Sequence, residues 1–394
     1  EISECLVGSE MCIRDRSGID TIKTFDPSEL AVQIAGEVKN FNPSDYLPKD
    51  LIRKTDPFMQ YAYIAAEEAM KQSGIKIEPE RTGIVMGTAM AGIATIAYTQ
   101  EALTGASHKK VGPRFIPKIL GNIAAANIAI DYNIQGPSFT VSTACSSGGD
   151  AINTACMCMQ SGKADIMLAV GAESVLCPLV IYSLANAKAL SRRNDSPSTA
   201  SRPFDVTRDG FVIGEGGGAL VLETEEHALA RGAKIYAEIR GCGNTDDAYH
   251  VTAPHPEGRG AIACMKQAIA EAGINPSDIG YINAHGTATN KGDTVETSSI
   301  KKVFGNTLPY VSSTKGATGH MMGAGGITET ITCVKAIETG TVPPTINLNE
   351  VDPECAGIDF VANIAKKAEI NFAMSNAFGF GGQNSSIIVG KYGK

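Results

Sequence analysis

The stretch VSTACSSG at residues 141–148 places one thiol, Cys145, among small residues, directly after an apolar run that begins at Phe139. The run predicts a β-strand that ends before Cys145, and the small residues after it predict the start of a helix. A helix N-terminus stabilises a thiolate and so lowers the pKa of the thiol, and its free N–H groups can hold an oxyanion. Taken alone, the pattern fits a nucleophile and a buried core thiol equally well.

Two further segments place histidines in similar surroundings. His285 lies in NAHGT at residues 283–287, and His320 ends STKGATGH at residues 313–320. Only six histidines occur, so two of them in Gly-rich turns after apolar strands favour function over packing. Lys315 fits a solvated surface position, but its apolar setting favours a buried ion pair, with Glu329 as the candidate carboxylate. A cysteine, two histidines and a lysine in such turns indicate covalent acyl chemistry.

Length and composition bound the class of protein. The 394 residues exceed the roughly 250–300 at which one core stops growing, so two core units or one composite core are expected. A net charge of -8 argues against general affinity for nucleic acids or anionic membranes, and no apolar run reaches the length of a membrane helix. Ten dispersed cysteines without zinc-site spacing predict reduced thiols in a cytosol-like compartment.

Apolar strand-like runs alternate with helical patterns, which predicts an α/β fold with buried sheets. The predicted strands are 83–86, 139–141, 166–170, 219–222, 279–282 and 386–389, and the clearest helices are 58–73, 260–272 and 327–339. Residues 141–162 and 311–340 both read as strand, small-residue turn, helix and Gly stop. We therefore expect two related halves, 17–233 and 234–394, packed as one body.

Residues 1–16, EISECLVGSEMCIRDR, have no clean periodicity. We interpret them as an artefactual, non-native N-terminus, with a real but poorly ordered terminus as the alternative. This segment therefore cannot be used to argue localisation.

Five motifs occur in an order that resembles one enzyme family. They are VSTACSSG (141–148), RPFDVTRDGFVIGEGGGALVLE (202–223), NAHGTAT (283–289), SSTKGATGHMMGAGG (312–326) and NAFGFGGQN (376–384). Together they resemble the elongating β-ketoacyl-acyl-carrier-protein synthases, most closely the synthase II type, over residues 17–394. The resemblance implies a thiolase-like, five-layer αβαβα sandwich of two similar halves, and a homodimer.

The resemblance also implies a decarboxylative Claisen condensation, the elongation step of type II fatty acid biosynthesis. Cys145 is expected to take the acyl group, with the backbone N–H groups of Cys145 and Phe380 as the oxyanion hole. Malonyl-acyl-carrier protein then loses CO₂, neutral His285 and His320 donate to the enolate oxygen, and the carbanion attacks the thioester.

Further expectations follow from the same resemblance. Lys315, held by Glu329, is expected to keep both histidines neutral. No cofactor is implied, because the phosphopantetheine arm is carried by the acyl carrier protein substrate. The predicted location is the bacterial cytoplasm, with an organellar parent left open.

Several motif residues match substrate-binding positions of the family. Thr287 and Thr289 match positions that bind the phosphopantetheine arm, and Phe380 matches the gate over the acyl pocket. Met90 and Ile93 are expected to shape the chain-length pocket, with core packing as the alternative. The substrate-binding set is Thr287, Thr289, Met90, Ile93, Phe378, Gly379 and Gly381; the glycines beside Phe380 supply hinge freedom.

The acidic carrier protein of the family is expected to dock on a basic patch, despite the negative net charge of this chain. The candidates are Lys49, Arg53, Lys54, Lys109, Lys110 and Lys188, and ordinary surface solvation is the alternative for each one.

Three related classes compete with this interpretation. A thiolase needs a second cysteine in the C-terminal Gly-rich turn, and residues 379–382 have none. A polyketide ketosynthase is harder to separate and stays open. A non-catalytic chain-length factor lacks the nucleophile, so Cys145, His285 and His320 argue against it.

The sequence departs from the family in one respect. The family's usual first strand, of the form VVVTGLG, has no counterpart before Ser17, so we expect the first half to lack that strand.

Overall fold

The computed structural model describes residues 17–105 and 111–394. Its strands are β1 (Asp20–Thr21), β2 (Ile34–Ala35), β3 (Thr82–Gly87), β4 (Ser138–Val141), β5 (Ile166–Glu173), β6 (Gly216–Glu223), β7 (Glu238–Asp246), β8 (Ile279–Asn283), β9 (Tyr310–Ser312), β10 (Thr341–Val342), β11 (Lys366–Lys367), β12 (Phe372–Phe378) and β13 (Gln383–Gly390).

The helices are α1 (Lys49–Lys54), α2 (Pro57–Ser73), α3 (Ile93–Gly105), α4 (Phe115–Ile119), α5 (Asn122–Tyr132), α6 (Ser147–Gln160), α7 (Pro178–Asn186), α8 (Glu225–Ala230), α9 (Arg259–Ala272), α10 (Asn290–Phe304), α11 (Lys315–Thr318) and α12 (Gly325–Thr339). Two 3₁₀ turns, Ala144–Ser146 and Met322–Ala324, also matter for the site.

Two mixed sheets repeat one topology. The first has the strand order β4-β3-β5-β6 and the second has the order β9-β8-β12-β13-β7. In the first sheet β3 runs parallel to β4 and β5, and β6 is antiparallel to β5. In the second, β8 runs parallel to β9 and β12, and β13 is antiparallel to β12. The repeat confirms the prediction of two similar halves.

The helices form three layers around the two sheets. Helices α2 and α5 cover the outer face of the first sheet, and α9 covers the outer face of the second with α10 beside it. Helices α6 and α12 contact each other and both sheets, so they form the middle layer. The predicted five-layer α/β sandwich is therefore confirmed.

The middle layer depends on glycines where α6 crosses α12. A Cβ on Gly148 would lie 2.7 Å from the Ile327 nitrogen, and a Cβ on Gly326 would lie 2.3 Å from the Gly149 nitrogen. These helix starts touch backbone to backbone, an approach that larger residues would prevent. The contact brings the turn that carries Cys145 next to the loop that follows His320.

Some predictions fall outside the described residues. These are the interpretation of residues 1–16, the missing first strand, and the docking positions Lys109 and Lys110. The predicted boundary at 233/234 falls between α8 and β7 and stays a prediction. Within the residues that the structure describes, no helix has the length and apolar character needed to cross a membrane.

Candidate active site

Cys145 lies in the 3₁₀ turn that joins β4 to α6. The preceding residue, Ala144, has a φ of 51°, which is unusual for a residue other than glycine. Side chains hold this turn: the Thr143 N–H donates to Ser147 Oγ at 2.9 Å, and Ser146 Oγ donates to the Thr143 carbonyl at 2.8 Å. Strain held by such contacts is common at functional positions. Cys145 is 8% exposed, so its thiol is buried within this turn.

The structure brings the cysteine and both histidines together. His320 Nε2 lies 3.0 Å from Cys145 Sγ. The His285 and His320 rings are 5.2 Å apart between centroids and nearly perpendicular. One candidate ligand atom from each of the three residues lies within 4.8 Å of the other two. A reacting group bound at Cys145 is therefore within reach of both imidazoles.

His285 is positioned by a buried carboxylate that the sequence analysis did not single out. Glu296, on α10, accepts the backbone N–H groups of His285 and Gly286 at 2.8 Å each. Burial raises the pKa of the Glu296 carboxyl to about 7, although these two N–H groups lower it. A carboxylate three residues after Asp293 on the first turns of a helix was the available sequence signal.

His320 is held by the segment 202–223, a motif to which the sequence analysis gave no role. Its backbone N–H donates to the Val212 carbonyl at 2.7 Å, and its carbonyl accepts the Gly214 N–H at 2.9 Å. The Phe211 ring packs edge-on against the imidazole, with centroids 5.3 Å apart. The position of His320 and the orientation of its ring are thus both fixed by neighbouring residues of the segment 202–223.

The site is electrostatically arranged to keep both imidazoles neutral. Burial lowers the pKa of His285 and of His320 well below the ordinary value, and the positive charge of Lys315 lowers both further. Lys315 is 1% exposed and forms an ion pair with Glu329, which is 3% exposed. Burial raises the pKa of the Glu329 carboxyl, and Lys315 opposes that shift. The predicted ion pair is present, and the direction of both histidine pKa shifts agrees with the predicted neutral rings.

The expectation of a lowered pKa at Cys145 is wrong. Burial raises the pKa of the Cys145 thiol to about 11, and this outweighs the lowering by the Phe380 N–H and by Lys315. The physical reason is desolvation, because a thiolate loses its hydration in the closed turn. The resting group is a thiol, so its attack on a thioester requires a proton acceptor, and His320 Nε2 is in contact with it.

The Gly-rich turn between β12 and β13 approaches the thiol from the other side. The Phe380 backbone N–H faces the thiol of Cys145 and lowers its pKa. A Cβ on Gly379 would lie 2.8 Å from the Thr143 carbonyl oxygen and 3.2 Å from the Cys145 nitrogen. Gly381 has a φ of 93°, in the region that favours glycine. The Phe380 ring is 41% exposed above the site.

Thr287 and Thr289 lie together beside His285. Their hydroxyl oxygens are 3.1 Å apart. A cavity of about 40 Å³ is lined by His285, Thr287 and Phe378 among others. The Phe378 ring centroid is 6.0 Å from that of His285. Both threonines and Phe378 therefore border the histidine that faces Cys145.

A buried ion pair that was not predicted holds the threonine loop. Arg208 donates to the carbonyls of Thr289 at 3.3 Å and Asn290 at 2.9 Å. Its guanidinium is 3.5 Å from Asp293, whose carboxylate accepts the Ala288 N–H at 3.2 Å. Ala288 has a φ of 67°, a strained conformation that these contacts stabilise.

The two predicted pocket residues are placed differently. Ile93 packs against the buried cluster that includes Cys145. The Met90 side chain is 37% exposed, and it is the Met90 backbone N–H that is bound, by Glu173 at 3.1 Å. Glu173 also accepts the Gly323 N–H at 3.1 Å. This buried carboxylate, whose pKa is raised to about 7 by burial, joins the Met90 loop to the loop after His320.

The docking candidates within the described ranges lie at the surface. Lys49, Arg53 and Lys54 are exposed on α1, and Lys188 is exposed at a positive φ of 55°. Asp50 pairs with both Arg53 and Lys54, so part of the positive charge of α1 is neutralised. The structure places these lysines and arginines where a partner could reach them, and it does not bring them into the site.

Two α/β repeats that meet at a buried thiol and two neutral imidazoles define an acyl-transferring enzyme with a covalent cysteine. Residues 9–228 match the beta-ketoacyl synthase N-terminal domain, and residues 236–349 match the beta-ketoacyl synthase C-terminal domain. The chain belongs to the beta-ketoacyl synthase family.

Curated relatives extend over most of the chain. It is 44% identical over 381 residues to the 3-oxoacyl-[acyl-carrier-protein] synthase 2 of Coxiella burnetii, covering 95% of this chain and 92% of that one. The synthase 2 of Vibrio cholerae is 43% identical, with the same coverage. That of Staphylococcus aureus strain COL is 42% identical over 97% of this chain and 93% of its own.

Solved structures share the fold. The ishigamide ketosynthase/chain length factor matches with a TM-score of 0.90 and 34% identity, covering 97% of this chain and 94% of that one. A beta-ketoacyl synthase from Burkholderia phymatum matches with a TM-score of 0.89 and 33% identity, covering 96% and 93%. These matches confirm the thiolase-like fold class.

Proposed function

We propose that this protein is a 3-oxoacyl-[acyl-carrier-protein] synthase of the type 2 class. It condenses an acyl thioester with malonyl-acyl-carrier protein and releases CO₂. The observation that carries the proposal is the contact of Cys145 with His320, with His285 perpendicular beside it. The names of relatives at 42–44% identity support the substrate class.

The first half-reaction loads the enzyme. Cys145 Sγ attacks the carbonyl carbon of the acyl thioester, and the developing oxyanion is held by the N–H groups of Cys145 and Phe380. The thiol proton passes to His320 Nε2, which lies 3.0 Å away, and then to the departing thiolate of the carrier arm. The products are an acyl-enzyme and a free carrier thiol, so the proton balance closes.

The second half-reaction makes the carbon–carbon bond. Loss of CO₂ from the malonyl thioester leaves an enolate, whose oxygen accepts ring N–H groups from His285 and His320. His320 takes the Nε2–H tautomer for this step, after Nε2 has served as the proton acceptor in the first half-reaction. Neutral imidazoles suit this role, and Lys315 supports it by lowering the pKa of both rings. The carbanion then attacks the carbonyl carbon of the Cys145 thioester and the C–S bond breaks. The 3-oxoacyl product forms, and the departing Cys145 thiolate takes up one proton from solvent, which restores the resting thiol.

Thr287 and Thr289 bind the phosphopantetheine arm in this proposal, because they border the histidine that the arm must reach. Phe380 gates the acyl pocket, and the glycines around it permit the ring to move. Ile93 lines that pocket near Cys145, and we infer that Met90 contributes when its exposed side chain is covered by a partner.

We propose the acyl carrier protein as the partner that docks on the basic side chains. The type II polyketide ketosynthase AntDE, solved with its acyl carrier protein, shares the fold with a TM-score of 0.87 and 31% identity. Lys188 and the α1 side chains Lys49, Arg53 and Lys54 are exposed and supply positive charge. This charge would steer an acidic carrier toward the site.

We also propose a homodimer formed through β4. This strand lies at the end of the first sheet and carries Phe139, whose ring is 48% exposed. An edge strand with an exposed aromatic residue is suited to pairing with a second copy. The strand runs directly into the turn that holds Cys145, so pairing there would also rigidify the site.

The experiment that tests the function follows both products of condensation. Purified protein is supplied with acyl-acyl-carrier protein and carboxyl-labelled malonyl-acyl-carrier protein, and labelled CO₂ and 3-oxoacyl-acyl-carrier protein are measured together. We expect equal amounts of both from the wild type and no 3-oxoacyl product from Cys145→Ala. CO₂ release by the wild-type protein without a condensed product would contradict the proposal. A product formed only with polyketide carrier proteins would favour a polyketide ketosynthase instead.

A further inference from the structure

The cysteine and the two histidines have the composition and spacing of a three-ligand metal centre. One ligand atom of each residue lies within 4.8 Å of the others, and Cys145 Sγ and His320 Nε2 are 3.0 Å apart. Zinc binds thiolate sulfur at about 2.3 Å and imidazole nitrogen at about 2.0–2.1 Å, so tetrahedral ligand atoms lie roughly 3.3–3.6 Å apart. Movements of roughly an ångström therefore separate the resting site from zinc-binding geometry.

We propose that Cys145, His285 and His320 also form an inhibitory zinc site with an open fourth position. Zinc binding breaks the S–H bond of Cys145 and forms a Zn–S bond, and the proton and the displaced waters leave to solvent. No electron is transferred. A zinc-bound Cys145 cannot attack a thioester, so Zn²⁺ and the acyl substrate exclude each other.

The surroundings favour a preformed site. His320 is fixed through its backbone by Val212 and Gly214, and His285 is fixed by the Glu296 carboxylate. Backbone segments that are already held in place lose little conformational freedom when their side chains bind a metal, which strengthens affinity. In the described parts of the chain, no second group of three such side chains meets the same spacing.

One nearby charge opposes the metal. Lys315 is a buried cation at the start of α11, the short helix that ends two residues before His320, so its positive charge lies close to one of the ligands. Its ion pair with Glu329 offsets part of that repulsion. Removal of the Lys315 charge should therefore strengthen zinc binding while it weakens catalysis, a combination that surface binding of zinc would not show.

Metal titration of the intact, substrate-free protein tests the site. Co²⁺ is added as a probe, and the thiolate-to-cobalt charge-transfer band and tetrahedral visible bands are recorded; zinc affinity is measured by chelator competition. Cys145→Ala should abolish the charge-transfer band. Both Cys145→Ala and His320→Ala should lower zinc affinity by more than roughly 100-fold, which is the largest usual effect of losing an outer-shell partner. Cys156→Ala, at a partly buried thiol outside the site, should change neither.

Further outcomes keep the test decisive. Lys315→Met should bind zinc more tightly than the wild type. In the wild-type protein, zinc should protect Cys145 from iodoacetamide, as mapped by peptide mass, which needs no variant to fold. The proposal would be overturned if Cys145→Ala bound zinc as tightly as the wild type. It would also be overturned if iodoacetamide still modified Cys145 of the wild type at saturating zinc. No substrate is present, so the result does not depend on the proposed condensation.

Discussion

The state of each catalytic side chain is decided by one buried charge pair and by desolvation. Lys315 and Glu329 are nearly inaccessible to solvent, and their partnership lets a positive charge remain beside two imidazoles and a thiol. Burial moves the pKa of the thiol up and that of the imidazoles down, so all three groups are neutral at rest. The thiol and the two imidazoles therefore carry no charge before the substrate binds.

Removal of the lysine charge should move the titration of the histidines. A positive neighbour lowers an imidazole pKa, so Lys315→Met should raise the pKa of His285 and His320 toward the ordinary value. Histidine ring NMR signals recorded between pH 8 and pH 5 check this. In the wild type these two signals should stay unshifted near pH 6, and in the variant they should titrate at higher pH.

A matched variant separates this effect from a general loss of charge. Lys23→Met removes an exposed lysine whose side chain is 72% accessible, and it should leave both histidine signals unchanged. Identical histidine titrations in Lys315→Met and wild type would show that Lys315 does not tune the rings.

The Gly379 position should tolerate no side chain. In Gly379→Ala the new methyl group must displace the Thr143 carbonyl or the Cys145 N–H, which lie 2.8 Å and 3.2 Å from it. Displacement of one oxyanion-hole donor costs about 10²–10³-fold in rate, and single-turnover acylation measured by rapid quench reports it. Gly112→Ala, where a Cβ meets nothing within 4 Å, is the control. An unchanged acylation rate in Gly379→Ala would show that the Cys145 N–H is not a donor of the oxyanion hole.

At the scale of elements, the loop between β8 and α10 depends on Arg208. This side chain is 1% exposed and pairs with the buried Asp293 and the partly exposed Asp352, so Arg208→Met leaves the buried Asp293 carboxylate without its cation. We expect a loss of about 3–5 kcal/mol in the free energy of unfolding. Urea unfolding checks this. Arg81→Met removes a pair whose side chains are 41% and 35% exposed, and it should lower the free energy of unfolding much less than Arg208→Met does.

The loss in Arg208→Met should also depend on pH. Burial raises the pKa of Asp293 to about 6 even with Arg208 present, and without the arginine it rises further. At pH 8 the unpaired carboxyl is charged and costly, whereas at pH 5.5 it is protonated. The difference in unfolding free energy from wild type should therefore be larger at pH 8, and a pH-independent difference would contradict this account.

How much of each element was readable from sequence depends on its residues. β3 and β5 are continuous apolar runs and were predicted, whereas β7 and β12 were not among the predicted strands. β7 has the sequence EIRGCGNTD, which lacks an apolar run. Its two glycines are needed because a Cβ on Gly241 or Gly243 would collide with α9.

The sequence motifs predicted Cys145, His285, His320, Lys315 and Glu329 as site residues. Arg208 and Asp293 were missed because they pair with each other from opposite halves of the chain. Glu173 and Glu296 were missed because each accepts backbone N–H groups of other segments.

At the scale of the whole molecule, the position of the site between two repeats explains why three separated motifs converge. The turn before α6 carries Cys145 and the loop before α12 carries His320. These two helices cross in the middle layer. The sequence echo predicted the repeat, but only the glycine-to-backbone contact shows how the two helices approach so closely.

The proposed dimer can be tested at its edge strand. Phe139→Asp places a charge on β4 and should convert a dimer to a monomer in size-exclusion chromatography with light scattering. Leu229→Asp, at a position on α8 that is 56% exposed, should leave the mass unchanged. If Phe139→Asp keeps the mass of the wild type, this strand is not the interface.

The most direct test of the central claim is the identity of the acylated residue. Wild-type protein is incubated with acyl-acyl-carrier protein, and intact mass and peptide mapping locate the acyl group before and after malonyl-acyl-carrier protein is added. We predict one acyl group, on Cys145, that disappears as the 3-oxoacyl product forms. An acyl group on another residue, or one on Cys145 that malonyl-acyl-carrier protein does not remove, would contradict the account.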